Sequence, residues 1–581
     1  MSVVRTLRVR EDRVQFPAPR LMEKQKNKLR IIPLGGMEEV GRNMTVFEYG
    51  SDIVILDMGI QFPEEDMPGI DFIIPNINYL KGREKNIRGV IFSHGHLDHI
   101  GAAPLLLKKL GFPPIIGRDL TLAMIERRME EYSRESIKHL KTIKIKSVND
   151  RLNLGRFKIS FFNVEHSIMD AVGVVINTPD GTVIHPGDWT MEKKSDDQQA
   201  ITYNHLSLLP KPRILMLESL GSLDTDRELV SEKDMNANLE KLIKEATGKV
   251  IIGTFSSQIK RIGHIIEYVR GIGKKVILDG YSMKMNIEIA QKLGYIKTGE
   301  GVLIPVNDIR KYPENKIIVI CTGAQGEGNA VLSRIITNEH RFIRVKKNDT
   351  IIFSSSVIPG NERTIQRLKD GLYRKCDNVV HNDIMDVHIS GHSNAESIKE
   401  IIKQIKPDFF LPVYANHYFL KEAAKLAMQV GIPKEKIFVL DNGSILEFQN
   451  KRAKVLNKKA DTNYVFVDGL GIGDIGHIVL RDRQTMAEDG MFVIIATIDR
   501  QTGKVKNSPD IISRGFIYMK ESKELLAEAR KKVKEIVEHT TVAGTPINWV
   551  YVKDNLRDKM GQFLYSKTRR RPMVLPVIIE V

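Results

Sequence analysis

The strongest constraint on the fold of this chain is a regular alternation of two kinds of segment between residues 213 and 385. Short apolar runs alternate with amphipathic stretches, from ILMLES, NANLEKLIKEA, VIIGTF, QIKRIGHIIEYVR and VILDG to IIVICTG, AVLSRII and IIFSSS. This alternation is typical of βαβ units, because a parallel pair of strands needs a helical crossover. It therefore predicts a mostly parallel, doubly wound α/β sheet.

Strand-like segments also lie on both sides of this region. The runs LRIIPLGG, MTVFEYG, DIVILDMG and RGVIFSHG follow one another from residue 29, a close succession typical of one layer of a sandwich. After Asp386, DFFLPVY and IFVLDNGSILEF predict a strand, helix and strand group. In the tail, HIVLRD and MFVIIATI predict strands, KELLAEARKKVKEIVEH predicts a helix, and VLPVIIEV predicts a closing strand.

The bulk properties restrict the class of protein. A chain of 581 residues is too long for one ordinary core, and its net charge of +16 favours polyanionic partners, although a solubilising surface explains the charge equally well. The isolated Cys321 and Cys376 offer no disulfide framework, which favours a reducing compartment. There is no apolar run of membrane-spanning length, and the start MSVVRTLRVREDRV is too charged for a signal peptide. We expect a cytoplasmic protein without membrane association.

The segment GVIFSHGHLDHIGAAPLLLKKL carries the strongest chemical signal. An apolar strand is followed by His94, His96, Asp98 and His99, just before a predicted helix. His94 and His96 are spaced to grip one ion, and Asp98 and His99 open the next turn, where they can serve a second. Imidazole and carboxylate ligands suit zinc or another borderline divalent metal.

Two further candidate ligands follow other predicted strands. His166 ends FKISFFNVEHS, and Asp188 follows a glycine in TVIHPGDWT, where its carboxylate could bridge two ions. Alone, His166 is equally well a structural histidine and Asp188 a turn cap. Asp57, ending DIVILD, is predicted to support the ligand histidines. A pair of ions roughly 3.5–4 Å apart can steady the attacking and the leaving oxygen on phosphorus, so the pattern favours phosphodiester hydrolysis.

Together these residues resemble the metallo-β-lactamase hydrolase core, and the α/β insert resembles the β-CASP domain of nucleic-acid-processing members. More narrowly, the chain resembles the ribonuclease J family from about residue 30 to its end. The matching stretches are IPLGGMEEVGRNM (32–44), GIDFIIPNINYL (69–80), CTGAQGEGNAVLSRI (321–335), SSSVIPGNE (354–362), HISGHS (388–393), VDGLGIGDIGHIVLRDR (467–483) and PDIISRGFIYMKES (509–522).

The resemblance implies an α/β fold: a metallo-β-lactamase αββα sandwich with an inserted doubly wound β-CASP domain and a small α+β C-terminal domain. The expected divisions are a flexible basic arm (1–27), the first part of the metallo-β-lactamase domain (28–219), the β-CASP domain (220–385), the second part of the metallo-β-lactamase domain (386–450), a linker (451–463) and the C-terminal domain (464–581).

The resemblance also implies roles for individual residues. His94, His96 and His166 would hold one zinc ion, Asp98 and His99 a second, and Asp188 would bridge the pair. Glu218 is expected to orient the site, and His392 to protonate the leaving oxygen as general acid. The groove around the scissile phosphate is expected to be lined by His388, Ile389, Ser390, Gly391, His392 and Ser393.

The activity implied by the resemblance is hydrolysis of RNA by a metal-activated hydroxide. Family members degrade 5′-monophosphorylated RNA from 5′ to 3′, and some also cut internally, in messenger decay and ribosomal RNA maturation. We therefore expect two zinc ions per chain, with manganese as the alternative metal, RNA as the partner, and a homodimer or homotetramer.

Two segments depart from the family pattern. Where the family usually has a PVHGE-like segment whose histidine completes the second metal site, this chain reads LPVYANHYF and places Tyr414 there. A phenol with a pKa of about 10 is a poor zinc ligand at neutral pH. His417, three residues on, either substitutes as a ligand or is an ordinary helix-start residue, with the second ion held weakly. The other departure is ESLGS (218–222), which retains the acid but replaces a Ser-Thr-Asn run.

Two other functions remain open at this point. One is a hydrolase of small esters, thioesters or lactams on the same metal core, which the large insert and HISGHS disfavour. The other is a catalytically weak, RNA-binding partner subunit of a ribonuclease complex, which Tyr414 alone supports. Lys260 and Arg261, at a predicted helix start, face either RNA or solvent.

Overall fold

The computed structural model describes residues 27–64, 66–191, 201–225, 230–325, 330–358, 361–542 and 546–581. The flexible basic arm predicted at 1–27 lies outside these ranges, apart from Asn27. No helix within the described ranges is long and apolar enough to cross a membrane.

Strands predominate in the part of the chain before the insert. Its elements are β1 (Leu29–Gly35), β2 (Met44–Tyr49), β3 (Asp52–Leu56), β4 (Phe72–Ile74), β5 (Ile87–Ile91), α1 (Leu97–Ile100), α2 (Ala103–Leu106), β6 (Ile115–Gly117), α3 (Asp119–Tyr132), α4 (Arg134–Ile137), β7 (Thr142–Lys144), β8 (Arg151–Leu154), β9 (Phe157–Asn163), β10 (Val172–Thr178), β11 (Gly181–His185) and β12 (Arg213–Glu218).

The insert alternates helices with strands, and the chain then returns to the first sheets. The insert contains α5 (Glu232–Glu245), β13 (Val250–Thr254), α6 (Ile259–Gly271), β14 (Lys275–Asp279), α7 (Tyr281–Lys292), β15 (Ile317–Cys321), α8 (Val331–Ile336), β16 (Thr350–Ser354), α9 (Glu362–Tyr373) and β17 (Asn378–Val380). The returning elements are α10 (Ala395–Ile405), β18 (Phe409–Val413), α11 (His417–Gln429), β19 (Leu446–Gln449) and β20 (Arg452–Val455).

Two mixed sheets form a sandwich with helices on both outer faces. The larger sheet has the order β20-β19-β1-β2-β3-β5-β6-β7, and the smaller has the order β18-β12-β11-β10-β9-β8. One apolar core joins their facing sides, with Phe47 and Val54 from the larger sheet and Phe161 and Met216 from the smaller. Helices α2 and α3 cover the outside of the larger sheet, and α10 and α11 cover the smaller. This arrangement confirms the predicted αββα sandwich.

The insert is a parallel sheet with helices on both faces. Its order is β14-β15-β13-β16-β17, and every neighbouring pair is parallel. Helices α5, α6 and α7 pack on one face, while α8 and α9 pack on the other. Strands β13, β15 and β16 are buried at every position because both faces are covered, which explains their continuous apolar runs. The prediction of a doubly wound sheet is confirmed.

The place of the insert in the sandwich brings distant segments together. Strand β12 pairs in parallel with both β11 and β18, and Glu218 is in register with Val413. The chain leaves the sheet after β12 and returns through α10 to β18 beside it. Segments about 190 residues apart in sequence therefore meet at the carboxyl edge of one sheet, where open α/β layers place their ligands.

The tail contains more elements than predicted, and one predicted element differs in type. It comprises β21 (Val465–Asp468), β22 (Gly471–Ile472), α12 (His477–Asp489), β23 (Met491–Ile498), β24 (Asp510–Arg514), α13 (Lys523–Thr540), α14 (Trp549–Thr568) and β25 (Met573–Glu580). HIVLRD, predicted to be a strand, begins helix α12, because good helix formers follow its short apolar run and glycines flank the whole segment. Helix α14 was not predicted. The segment predicted to be a linker, 451–463, contains β20, which pairs with β19.

A buried ion pair in the insert gives a stability prediction. The carboxylate of Asp349 is fully buried, pairs with the amine of Lys249, and accepts backbone N–H donors from Lys249 and Lys346. Asp349→Ala leaves a buried ammonium uncompensated, so we expect the free energy of unfolding to fall by about 3–5 kcal/mol. Urea unfolding followed by far-UV circular dichroism measures the change.

The matched control is Asp377→Ala. Asp377 and Lys347 form an exposed pair at 3.7 Å, which water screens, so its loss is expected to leave the unfolding curve unchanged within error. Equal destabilisation by the two variants would contradict the prediction.

Candidate metal centre

The predicted ligands come from loops that follow neighbouring strands. His94 and His96 lie between β5 and α1, while Asp98 and His99 lie within the single turn of α1. His166 follows β9, and Asp188 follows β11. The two sheets meet at this edge, so the structure brings all six predicted residues into one centre.

The first ligand group contains His94, His96, His166 and Asp188, whose ligand atoms all lie within 4.8 Å of one another. The Nε2 atoms of His94 and His166 are each 3.0 Å from Nδ1 of His96. Nδ1 of His166 lies 2.7 Å from the carbonyl oxygen of Gly391, so this nitrogen carries the hydrogen and donates it. The Nε2 lone pair of His166 is then free for a cation shared with the ligand atoms of His94 and His96, which lie within 4.8 Å.

The protonation of this group also suits a cation. Burial, the largest cause, lowers the pKa of His96 to about 4 and that of His166 to about 3, and it lowers the pKa of His94 well below its usual value. These imidazoles are therefore neutral near pH 7, and neutral imidazole is the form that binds metals.

The second ligand group contains Asp98, His99 and Asp188. Nδ1 of His99 donates to the buried carboxylate of Asp57 at 2.8 Å, which turns Nε2 towards Asp98 and Asp188, each 3.4 Å away. Burial alone would lower the pKa of His99, but the carboxylates of Asp188, Asp98 and Asp57 together raise it well above its usual value. Asp57 thus supports the candidate ligand His99 through a hydrogen bond, as predicted from the sequence.

Asp188 lies at the junction of the two groups. Its Oδ2 is 3.4 Å from Nε2 of His99 and 3.9 Å from Nε2 of His94. Its Oδ1 is buried and has no hydrogen-bond partner among the described residues. Burial favours a raised pKa, but the imidazoles of His99, His392 and His94 lower it well below its usual value, so the carboxylate is ionised. A buried anion between two sets of nitrogen and oxygen donors fits a pair of divalent ions.

His417 does not join the second group, which corrects its assignment as a substitute ligand. It begins α11 after Asn416, and its ring is half-exposed beside Glu38 and Asp441, with Nδ1 4.0 Å from the Asp441 carboxylate. The cause lies in the backbone: the chain turns at Tyr414, in a left-handed conformation with φ of 61°, and the new helix directs His417 outward. Tyr414 itself is buried, with its ring centre 5.4 Å from that of His99.

Glu218 and His392 form a pair beside the first group. Oε1 of the buried Glu218 lies 3.7 Å from Nδ1 of His392, whose ring centre is 5.8 Å from that of His166. Burial opposes protonation of His392, but the carboxylates of Glu218, Asp188 and Asp98 raise its pKa to about 9. Burial raises the pKa of Glu218. The structure thus places a protonated imidazole, about a third exposed, next to the candidate metal ligands.

Only the middle of the predicted groove segment, 388–393, is accessible. Ile389, Ser390 and His392 are partly exposed, whereas His388, Gly391 and Ser393 are buried. Arg261 was expected to face RNA or solvent, but it is buried, with Nη1 2.7 Å from Nδ1 of His388.

Two side chains near the centre, Asn43 and His185, were not predicted from the sequence. Nδ2 of the buried Asn43 is 3.0 Å from Nε2 of His99 and 3.3 Å from Oδ2 of Asp98. The fully buried ring of His185 lies tilted against that of Tyr414, with the ring centres 5.0 Å apart. A polar Asn between the apolar strands β1 and β2 was the available signal for Asn43, and the histidine ending TVIH was the signal for His185. Neither pattern indicates which loop the side chain faces.

The four-layer sandwich with this ligand edge defines a metallo-β-lactamase-type metal hydrolase, and comparisons with known proteins identify its family. Residues 37–196 match the model of the metallo-beta-lactamase superfamily, 247–372 that of the ribonuclease J beta-CASP domain, and 478–581 that of the ribonuclease J C-terminal domain. Ribonuclease J2 of Bacillus subtilis is 34% identical over 97% of this chain and 100% of its own length. Ribonuclease J 2 of Staphylococcus aureus is 33% identical over the same shares.

The chain therefore belongs to the ribonuclease J family of metallo-β-lactamase/β-CASP nucleases. Its activity is that of a metal-dependent ribonuclease, a hydrolase of phosphodiester bonds.

The contact between Gly391 and His166 gives a prediction for this centre. A Cβ at Gly391 would lie 2.9 Å from Cε1 of His166 and 2.6 Å from Oγ of Ser167, so Gly391→Ala must displace the loop that holds the imidazole. We expect zinc affinity to fall roughly 10–100-fold, as when a residue supporting a ligand is lost. Competition with a zinc-sensitive chelating dye measures it.

Gly561→Ala is the control, because a Cβ there meets no atom within 4 Å on the surface of α14. Unchanged zinc affinity in Gly391→Ala would show that this contact does not position His166.

Proposed function

We propose that this chain is a zinc-dependent ribonuclease that degrades 5′-monophosphorylated RNA from 5′ to 3′ and also cuts internally, with manganese as the alternative metal. The observation that carries the proposal is the position of Asp188. Its ionised carboxylate lies between the two ligand groups, and the pair of Glu218 and His392 stands beside them. That arrangement suits in-line displacement at phosphorus better than opening of a lactam or ester.

The proposed ligands are His94, His96 and His166 for one ion, Asp98 and His99 for the other, and Asp188 for both. When bound, such a pair of ions makes hydroxide available near neutral pH and neutralises charge on the phosphate oxygens. Asp98 and Asp188 contribute their ionised carboxylates, and Asp57 keeps the ring of His99 in the orientation that directs Nε2 inward.

His392 is the proposed general acid. It is about a third exposed, so RNA can reach it, and Glu218 holds a negative charge 3.7 Å from Nδ1. Metal ions bound nearby would favour the neutral form of His392, and the buried carboxylate of Glu218 opposes that effect. Donation of this proton to the 3′-oxygen of the departing nucleotide completes hydrolysis. The remaining RNA then begins with a 5′-monophosphate, so each turn of the reaction produces the substrate for the next.

Recognition of the RNA end is assigned to the accessible part of segment 388–393. Ser390 and His392 are partly exposed there, and the backbone N–H of His392 donates to Oγ of Ser390 at 3.2 Å. His388 and Ser393 of the same segment are buried. The net charge of +16 favours RNA by counterion release. By family membership we further propose roles in messenger decay and ribosomal RNA maturation in the cytoplasm, as a homodimer or homotetramer.

The first test follows a 3′-labelled, 5′-monophosphorylated RNA with the zinc-loaded or manganese-loaded chain. We expect stepwise shortening from the 5′ end, and its loss in His96→Ala. His392→Gln is expected to lower kcat by roughly 10²–10⁴-fold while RNA binding persists, because only proton donation is removed. His205→Gln, an exposed histidine outside the site, should retain full activity.

RNA that is bound but not cleaved by the wild-type chain would refute the catalytic proposal. That result would favour the alternative of a catalytically weak, RNA-binding partner subunit in a ribonuclease complex.

The second test compares RNAs that differ only at the 5′ end. We expect a 5′-monophosphate to be degraded at least about tenfold faster than a 5′-triphosphate, because one missing or misfitted charged contact costs roughly 1.4 kcal/mol or more. Initial rates at limiting RNA give the ratio of kcat/KM. Equal rates would remove end recognition from the proposal and leave internal cleavage as the activity.

A further inference from the structure

The two ligand groups differ in the number of protein ligands that they offer. The first has three imidazoles and one carboxylate, which is a complete tetrahedral set. The second has Asp98, His99 and a share of Asp188. A second ion therefore needs at least one more ligand, and the side chains around that group determine whether the protein can supply it.

Asn43 presents a hydrogen-bond donor to the second group. Its amide nitrogen is 3.0 Å from Nε2 of His99 and 3.3 Å from Oδ2 of Asp98, the atoms that would face an ion. Its oxygen points away, towards Gly36, where a Cβ would be only 2.5 Å from it. The amide nitrogen has no lone pair to offer an ion, so Asn43 in this orientation adds no ligand to the set.

Tyr414 also faces the second group and is held in place. Its backbone N–H donates to the carbonyl of Gly36 at 2.7 Å, and a Cβ on Gly36 would lie 2.8 Å from its ring. The hydroxyl is buried beside the carboxylate of Asp57. A phenol with an ordinary pKa of about 10 keeps its proton near neutral pH, so Tyr414 is a hydrogen-bond donor and a poor ligand.

His185 does not complete the set either. Its Nδ1 accepts the backbone N–H of Gly187 at 2.8 Å, and burial lowers the pKa of this histidine to about 3. In the neutral ring the hydrogen is then on Nε2, which is a donor and not a ligand. Asn43 and Tyr414 thus border the second group without adding a ligand, and His185 packs against Tyr414.

We propose that the two metal positions are unequal in this chain: the first holds a resident ion, whereas the second binds its ion far more weakly and exchanges it with solution. This inference rests on the metal centre of the proposed function. The second ion takes the ligands that the protein lacks from water or from an RNA phosphate. In this way Tyr414 and Asn43 make activity depend on free metal.

The test counts zinc in the full-length chain, loaded with zinc and then dialysed against metal-free buffer. We expect about one zinc per chain to remain, and calorimetry to give a second affinity at least about 100-fold weaker, since even a lost support residue costs 10–100-fold. His166→Ala removes a ligand of the first group and should lose the retained zinc.

Substitutions at the second group test whether Asn43 and Tyr414 are the cause of the weak binding of the second ion. Tyr414→His adds an imidazole and Asn43→Asp exchanges a donor for a carboxylate of the same shape, so each should raise retention towards two zinc ions per chain. Tyr414→Phe removes a donor without adding a ligand and should stay near one. Circular dichroism shows whether each variant is folded. If Tyr414→His folds poorly, Asn43→Asp still tests the inference, because Asn43 lies in a different loop.

Two outcomes overturn the inference, and they are distinguishable. Two zinc ions of similar affinity in the wild-type chain would refute inequality while leaving the proposed function intact. No retained zinc at all would refute both the inference and the metal centre on which the proposed function depends. Failure of both Tyr414→His and Asn43→Asp to raise retention would refute the donors as the cause.

Discussion

The buried carboxylate of Asp57 is the interaction on which the candidate metal centre depends. It ends β3 in a left-handed conformation with φ of 61° and accepts the backbone N–H and the hydroxyl of Ser93 and Nδ1 of His99. Those three bonds tie both ends of the loop that follows β5, so His94 and His99 are oriented before any ion arrives. A fully buried carboxylate is tolerated here because these hydrogen bonds satisfy it.

The topology of the sandwich explains why one edge collects residues from distant segments. The β-CASP insert leaves after β12 and returns to β18, its parallel neighbour, so Glu218 and the segment before α10 converge. His392 then stands beside Glu218, and the carbonyl of Gly391 accepts the hydrogen of His166. The proposed general acid and one candidate metal ligand are thus coupled through a single short segment.

Sequence patterns predicted the elements whose burial is uniform. Two signals are local: the continuous apolar runs of β13, β15 and β16, and the cluster from His94 to His99. Periodicity and ligand spacing are properties of consecutive residues, so the sequence alone shows them. The strand predicted for HIVLRD was wrong, because a run of three apolar residues does not distinguish a strand from a helix. Of the two alternatives for His417, the structure favours the ordinary helix-start residue, because the left-handed turn at Tyr414 directs it away from the second group. The carbonyl of Gly36, just after β1, accepts the backbone N–H of Tyr414 at this turn. The burial of His388, Ser393 and Arg261 depends on packing between separate elements and has no local pattern.

The sequence by itself determined the α/β architecture, the family and the six residues brought together at the two ligand groups, since each depends on short-range spacing or on motifs in order. Only the tertiary structure decided that Asn43 and Tyr414 border the second group and that His185 packs against Tyr414. The physical reason is that a ligand set is completed by contacts across loops. Whether a polar side chain offers a metal a lone pair or a hydrogen depends on its orientation, which is set by hydrogen bonds to its other atoms.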